Sequence, residues 1–279
     1  MIEKYIQRFL DVANATDNAA YQVFARGQGK GHFSSPTASA FKGNAFSEKD
    51  SYTDAMIHHP EVFRGLTYFE RLMTMQHYEN NTRLMDVSTN FLIALLFCCF
   101  SKSDSGAEVL IYKEKKDDIL FPDSDKLLML SALAHFTNEE QEEMKQFCSL
   151  HKGKIDADQM RGNRTMWRFL HEIRNERPAF EAEIVGEDLL RSYFVTTYNL
   201  HPRVTNQSGG FIVFGLNQDP RDDARADTIP IPADELPQLA RELRFLGVDE
   251  QMIKPEVEHL FYSRENDYNT RGINNPYYR

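Results

Sequence analysis

The chain has 279 residues, room for one large domain or two small ones, and its 41% hydrophobic content can bury a sizeable core, which excludes global disorder. Its formal net charge of −10 excludes a protein that holds nucleic acid across a broad basic surface and leaves only a local basic cleft for that purpose. Three cysteines cannot make a paired framework and no apolar signal core opens the chain, so the expectation is a cytoplasmic protein in a reducing compartment.

Ile2, Tyr5, Ile6, Phe9, Leu10 and Ala13 fall on one helical face and predict an opening amphipathic helix. Tyr21 to Ala25 reads as a buried strand that runs straight into Arg26-Gly27-Gln28-Gly29-Lys30-Gly31-His32. Three alternating glycines there allow two readings. One is a plain glycine turn; the other is a nest of backbone N–H groups for an anion, with Arg26 and Lys30 adding charge. The spacing meets neither the P-loop pattern nor the dinucleotide fingerprint. Residues 34–60 look irregular and predict a surface excursion over a cleft. Glu61 to Gln76 then has helical spacing in Val62, Leu66, Phe69, Leu72 and Met73.

The stretch from Gln76 to Cys99 sets a dense polar group, Gln76, His77, Tyr78, Thr82, Arg83, Asp86 and Ser88, directly before an apolar run from Phe91 to Phe100. That run is too short for a bilayer, which needs about 20 residues, and reads as a buried helix with Cys98 and Cys99 as packing thiols. Thr82 to Val87 alternates as a short strand does, and Ser88, Thr89 and Asn90 are good caps for the helix that follows. A strand end feeding a buried helix holds side chains rigidly, which is where chemistry is commonly placed.

Further along, Glu108 to Tyr112 fits a strand and Lys113 to Asp118 a solvated turn. Leu127 to Phe136, Glu139 to Leu150 and Thr165 to Ile173 predict three helices, together a helical insertion at about 125–180. Tyr193 to Thr197 predicts a strand, and Arg203 to Leu216 a strand, a Gly-Gly bend and a second strand. Asp219 to Asp227 reads as a charged loop, Asp234 to Leu246 as a helix capped by Gly247, and 263–279 as a loosely held polar tail.

Three separated segments resemble the FRG domain, a bacterial family. Phe24-Ala25-Arg26-Gly27-Gln28 is similar to its F-R-G-Q opening with one residue inserted. Gln76 to Asn90 is similar to its Q-H-Y-G-x-P-T-R-L-L-D-W-T-x-N segment, departing at Glu79, Asn81 and Val87. Pro202-Arg203-Val204 through Gln207 to Phe211 resembles P-R-I-x-x-Q-x-G-x-F. The resemblance spans roughly residues 20–260, so the expected unit is an FRG-like domain over 1–262. It implies an α+β single domain with a mixed, split β-sheet of ADP-ribosyltransferase type flanked by helices.

What the resemblance implies about activity is transfer of ADP-ribose from NAD to a macromolecule (RNA, DNA or protein) by a toxin or phage-defence effector, silenced by an antitoxin or chaperone partner. No membrane and no metal enter this expectation. In that scheme Arg26, Asp86 and Gln207 are catalytic, with Arg26, Gly27, Gln28, His77, Tyr78, Arg83, Ser88 and Thr89 around the NAD. Cleavage of the nicotinamide–ribose bond passes through an oxocarbenium-like state, so it needs the pyrophosphate held and the ribose met by polar groups. Gln207 can bond the ribose but cannot ionise, which leaves Asp86 as the group to take a proton. Local roles compete with each of these. Arg83 and Asp86 are also placed to pair with each other, His77 and Tyr78 to pack in the core, and Gln207 to satisfy the Gly209-Gly210 backbone. A non-catalytic nucleotide- or nucleic-acid-binding module and an NAD glycohydrolase are the rival readings.

Overall fold

The computed structural model describes residues 1–30, 47–78, 80, 82–101, 104–196, 209–217 and 225–253. The chain opens with α1 (Ile2–Asn14), then β1 (Tyr21–Gly29). Three helices follow, α2 (Glu48–His58), α3 (Pro60–Phe63) and α4 (Tyr68–His77), then β2 (Leu84–Ser88), α5 (Phe91–Phe100) and β3 (Ala107–Lys115). A helical run contains α6 (Asp125–Ala132), α7 (Asn138–Leu150), α8 (Ala157–Arg161) and α9 (Arg164–Glu176). Within it a small ladder joins β4 (Lys154–Ile155) to β5 (Ile184–Val185), and α10 (Gly186–Leu190) leads on to β6 (Tyr193–Thr196). The described chain closes with β7 (Gly209–Val213), β8 (Arg225–Ile231), α11 (Leu236–Phe245) and α12 (Glu250–Ile253).

Local chemistry accounts for many of these boundaries. Capping boxes start α2 at Ser47 and Asp50, α4 at Thr67 and Glu70, and α7 at Thr137 and Glu140, so each helix has its first orphan N–H groups satisfied reciprocally. Asn90 caps α5 through the Leu92 N–H at 3.0 Å. Gly247, at φ 75°, ends the helix before it as expected. The irregular excursion expected over 34–60 instead contains α2 from Glu48 onward. Its buried residues, Glu48, Tyr52 and Ala55, carry too little apolar periodicity for spacing alone to reveal a helix.

The main sheet has strand order β6-β7-β2-β1-β3-β8. Its neighbours are all antiparallel, which corrects the mixed sheet expected; the parallel contact among the described residues is an isolated bridge between Leu120 and Val195. The strands β2 and β3 both run antiparallel to β1, which lies between them, so α5 must cross over β1 to connect them. Gly27 lies under that crossing. A Cβ on it would stand 1.8 Å from the Ala94 carbonyl oxygen, so the helix backbone rests on a strand position that tolerates no side chain.

Paired residues point to the same side of a sheet, and that places the helices. The Leu84 side of β2, with Tyr193, Val195, Phe211 and Val213, shares one core with α4 and the helices α6 to α9. The helices expected as an insertion at 125–180 are therefore a layer packed directly on the sheet. The same side of the other half, Val23, Ala25, Val109, Ile111, Ile229 and Ile231, packs on α5, α1 and α11. Phe24, Met85, Val87, Leu110, Phe194 and Ile212 form a third cluster on the opposite face. No helix among the described residues is long and apolar enough to cross a membrane.

Three further expectations change. The ladder with β3 carries β1 through Gly29, so Arg26 to Gly29 is strand and not a glycine loop, and the anion nest expected there is not formed by these residues. The same ladder extends β3 through Lys115, shortening the solvated turn to 116–118. Gly209 and Gly210 lie inside β7 and pair with β2, so they are not a bend. The strand expected before them and the 263–279 tail lie outside the described residues, as does the charged loop up to residue 224, whose expected end, Arg225 to Asp227, belongs to β8.

Candidate functional site

The ladder between β1 and β2 consists of one register pair, Ala25 with Ser88, whereas β1 pairs along its full length with β3 and β2 along its full length with β7. Among the described residues the sheet is thus two three-stranded halves, joined on one face by Phe24 stacked on Phe194, whose backbone ladders meet at one pair. Beyond that point Arg26 turns its guanidinium into the seam, and its Nη1 donates to the Asp86 carbonyl at 2.7 Å. Had the ladder continued, Asp86 would face Gly27 there; a side-chain donor has replaced the neighbouring strand. The Nε of Arg26 is buried and has no hydrogen-bond partner. A buried donor left unmade costs about 1–3 kcal/mol, so this guanidinium is held in place with capacity for another acceptor.

Asp86, half-buried in the middle of β2, sits on the Leu84 side by strand alternation, while Arg26 leaves β1 on the Phe24 side. The two therefore meet through the Asp86 backbone across the seam and not side chain to side chain. The Asp86 carboxylate turns toward the last turn of α4, where Gln76 Nε2 donates to Oδ2 at 3.1 Å. Gln76 in turn accepts from Thr82 Oγ1 at 2.5 Å, and Thr82 accepts from the Leu84 N–H at 3.2 Å. The helix that presents Gln76 is anchored by Phe69, Leu72, Met73 and Met75 in the core.

Arg83 is a correction. It is fully buried and pairs with Glu48 of α2, not with Asp86: its Nε donates to Glu48 Oε2 at 2.9 Å and its backbone N–H to Oε1 at 2.6 Å. Its remaining nitrogens donate to Gln141 Oε1 at 3.0 Å and to the Phe214 carbonyl at 3.3 Å. With the guanidinium so engaged and away from solvent, Arg83 ties α2 and α7 to the start of β2 and is not available to a cofactor. Glu48 gave no sequence signal, because its partner lies 35 positions away.

Residues 22–107 match the FRG domain. Comparison with curated proteins and with solved structures finds no match for this chain. The FRG-matching segment contains β1, β2 and the crossover helix α5, and so both sides of the seam, with Arg26 and Asp86 in it. It stops at the first residue of β3; the other strands of the sheet come from beyond the match. Of the FRG-type positions, Ser88 is buried at the seam pair and accepts from the Asn90 N–H at 2.9 Å, whereas Thr89 is exposed. His77 is buried with its ring 6.4 Å from that of Phe211, and Tyr78 closes α4. Gln28 donates across the ladder to Glu108 Oε1 at 2.8 Å. Gln207 lies outside the described residues. Gln76 and Thr82 stood in the polar group of the FRG segment without a role; the structure brings Gln76 to Asp86 and Thr82 to Gln76.

A second cluster of interacting titratable groups lies away from this seam. His135 is packed between the rings of Tyr52 and Tyr68 at 4.5 and 4.4 Å and bonds Glu172 Oε1 through Nδ1 at 3.1 Å. That bond, with a second from the Tyr68 hydroxyl at 2.6 Å, holds the Glu172 carboxyl down at about 2 against the opposing effect of burial. Burial pushes the Tyr68 hydroxyl up, as does its bond to Glu172, and burial raises Glu176 nearby. This cluster binds α2, α4 and α9 together. A lowered carboxylate stabilises fully above its ordinary range, and the contribution drains away as the pH falls toward about 2. Thermal unfolding of Glu172→Gln across the acid range is expected to show a flatter loss of stability than the parent chain.

Proposed function

We propose that the seam between β1 and β2 holds NAD and that the protein transfers ADP-ribose from it to a macromolecular acceptor. The observation that carries this reading is Arg26: a guanidinium fixed beside the one ladder pair described between the two sheet halves, with a buried Nε still lacking an acceptor. A guanidinium suits a pyrophosphate because its planar fork meets two oxygens at once. The Asp86 carboxylate lies across the seam on the opposite face of the sheet, and this reading gives it the part of stabilising positive charge on the ribose as the nicotinamide departs. The division into two halves supports the split sheet that the FRG resemblance implies, and the FRG match covers both sides of the division.

In the reaction the C1′–N bond of the nicotinamide riboside breaks, and neutral nicotinamide leaves with the electron pair. The acceptor's lone pair forms the new bond to C1′, and the acceptor's proton passes to a base. With water as acceptor the same site is an NAD glycohydrolase; with no chemistry it is a nucleotide-binding module.

Incubating the protein with NAD labelled in its adenylate half and with cell extract separates these readings. Label carried onto a macromolecule is the result expected. Free ADP-ribose makes it a hydrolase, and intact NAD removes the enzymatic reading. An effector role predicts slowed growth on expression, relieved when Arg26 is replaced.

A further inference from the structure

One hydrogen-bond chain at the seam has a defined direction. The Leu84 N–H donates to Thr82 Oγ1, and the Thr82 hydroxyl donates to Gln76 Oε1. This orients the carboxamide: its oxygen is occupied, and its Nε2 faces Asp86 Oδ2 as a donor. A donor in that place suits an ionised oxygen and conflicts with a proton on it. The other oxygen, Oδ1, accepts no hydrogen bond from a described residue.

We propose that Gln76, oriented by Thr82, is a positioning residue that holds Asp86 by Oδ2 and reserves Oδ1 for the proton leaving the acceptor; this rests on the NAD reading of the seam. The acceptor's X–H bond breaks, its electron pair closes the bond to ribose C1′, and the proton comes to Oδ1, with nicotinamide as the leaving group. Gln76 touches none of the reacting atoms. It acts on which carboxylate oxygen is basic and where that oxygen points.

The test is a double-mutant cycle on NAD turnover. Gln76→Met, close in shape and without the amide, is expected to lower kcat about 10–100-fold with little change in KM for NAD. In an Asp86→Asn background, where no carboxylate remains to be held, the same change is expected to cost less than about two-fold. Equal losses in both backgrounds, or a loss confined to KM, overturn the proposal. Nitrogen-15 NMR of the Gln76 carboxamide checks the pairing without NAD: its resonances are expected to move in Asp86→Ala, and resonances that stay put also overturn it. If they move while the parent chain leaves NAD intact, the NAD reading falls and takes the proton's destination with it, and only the holding of Asp86 stands.

Discussion

Replacing Glu48 with alanine is expected to remove about 3–5 kcal/mol of folding stability, because it strands the Arg83 charge in the interior. Arg83 is completely buried, and Glu48 supplies partners for its Nε, its Nη2 and its backbone N–H together. Two other acceptors beside it, Gln141 and the Phe214 carbonyl, are neutral and already in use. A loss of that size is a large fraction of the roughly 5–15 kcal/mol that holds a typical domain folded. Urea unfolding monitored by circular dichroism measures it. Removing both partners by Glu48→Leu with Arg83→Met is expected to recover most of the loss, since the penalty comes from the unpaired charge and not from the absence of a pair. A single Glu48→Ala change costing under about 1 kcal/mol would mean the pair does not close the core as described.

Arg26→Ala is expected to do the opposite, leaving stability nearly intact and removing function. The bond lost to the Asp86 carbonyl contributes about 1–2 kcal/mol, while relief of the unpartnered buried Nε offsets a similar amount. On the proposed reading of the seam, NAD cleavage is expected to fall about 10²–10³-fold, the usual effect of deleting one preorganised donor to developing or fixed charge. Arg26→Lys is expected not to restore it, because an ammonium cannot bond a carbonyl and present a planar fork to a pyrophosphate at once. Labelled-NAD assays on variants whose unfolding curves overlay the parent decide the matter. Full activity in Arg26→Ala would move the site away from the seam.

The contrast between the two arginines shows how far a sequence can be read. Arg26 and Arg83 both fall in FRG-type segments, and both looked available to a cofactor. What distinguishes them is which distant residue arrives beside each one: a carboxylate from α2 for Arg83, and only a backbone carbonyl for Arg26. Neither contact leaves a local trace. Gln76 and Thr82 were visible as polar residues near Asp86, but their hydrogen-bond chain joins the end of α4 to β2, which spacing does not reveal.

By itself the sequence determined the elements whose causes are local. The periodic face of α1, the apolar run of α5 with its Asn90 cap, the Thr67 and Thr137 capping boxes and the Gly247 stop all follow from interactions within a few residues. The likeness to the FRG domain was equally local, carried by short ordered segments. Only the tertiary structure decided that the glycines after Arg26 belong to a strand, since their backbone is paired by β3 some 80 residues on. It alone decided that Gly27 serves the crossing of α5, that the neighbouring strands run antiparallel, and that the sheet parts beyond Ala25 and Ser88. Strand order and register are long-range pairings, and a strand's own pattern states which face it buries but not which neighbour it will find.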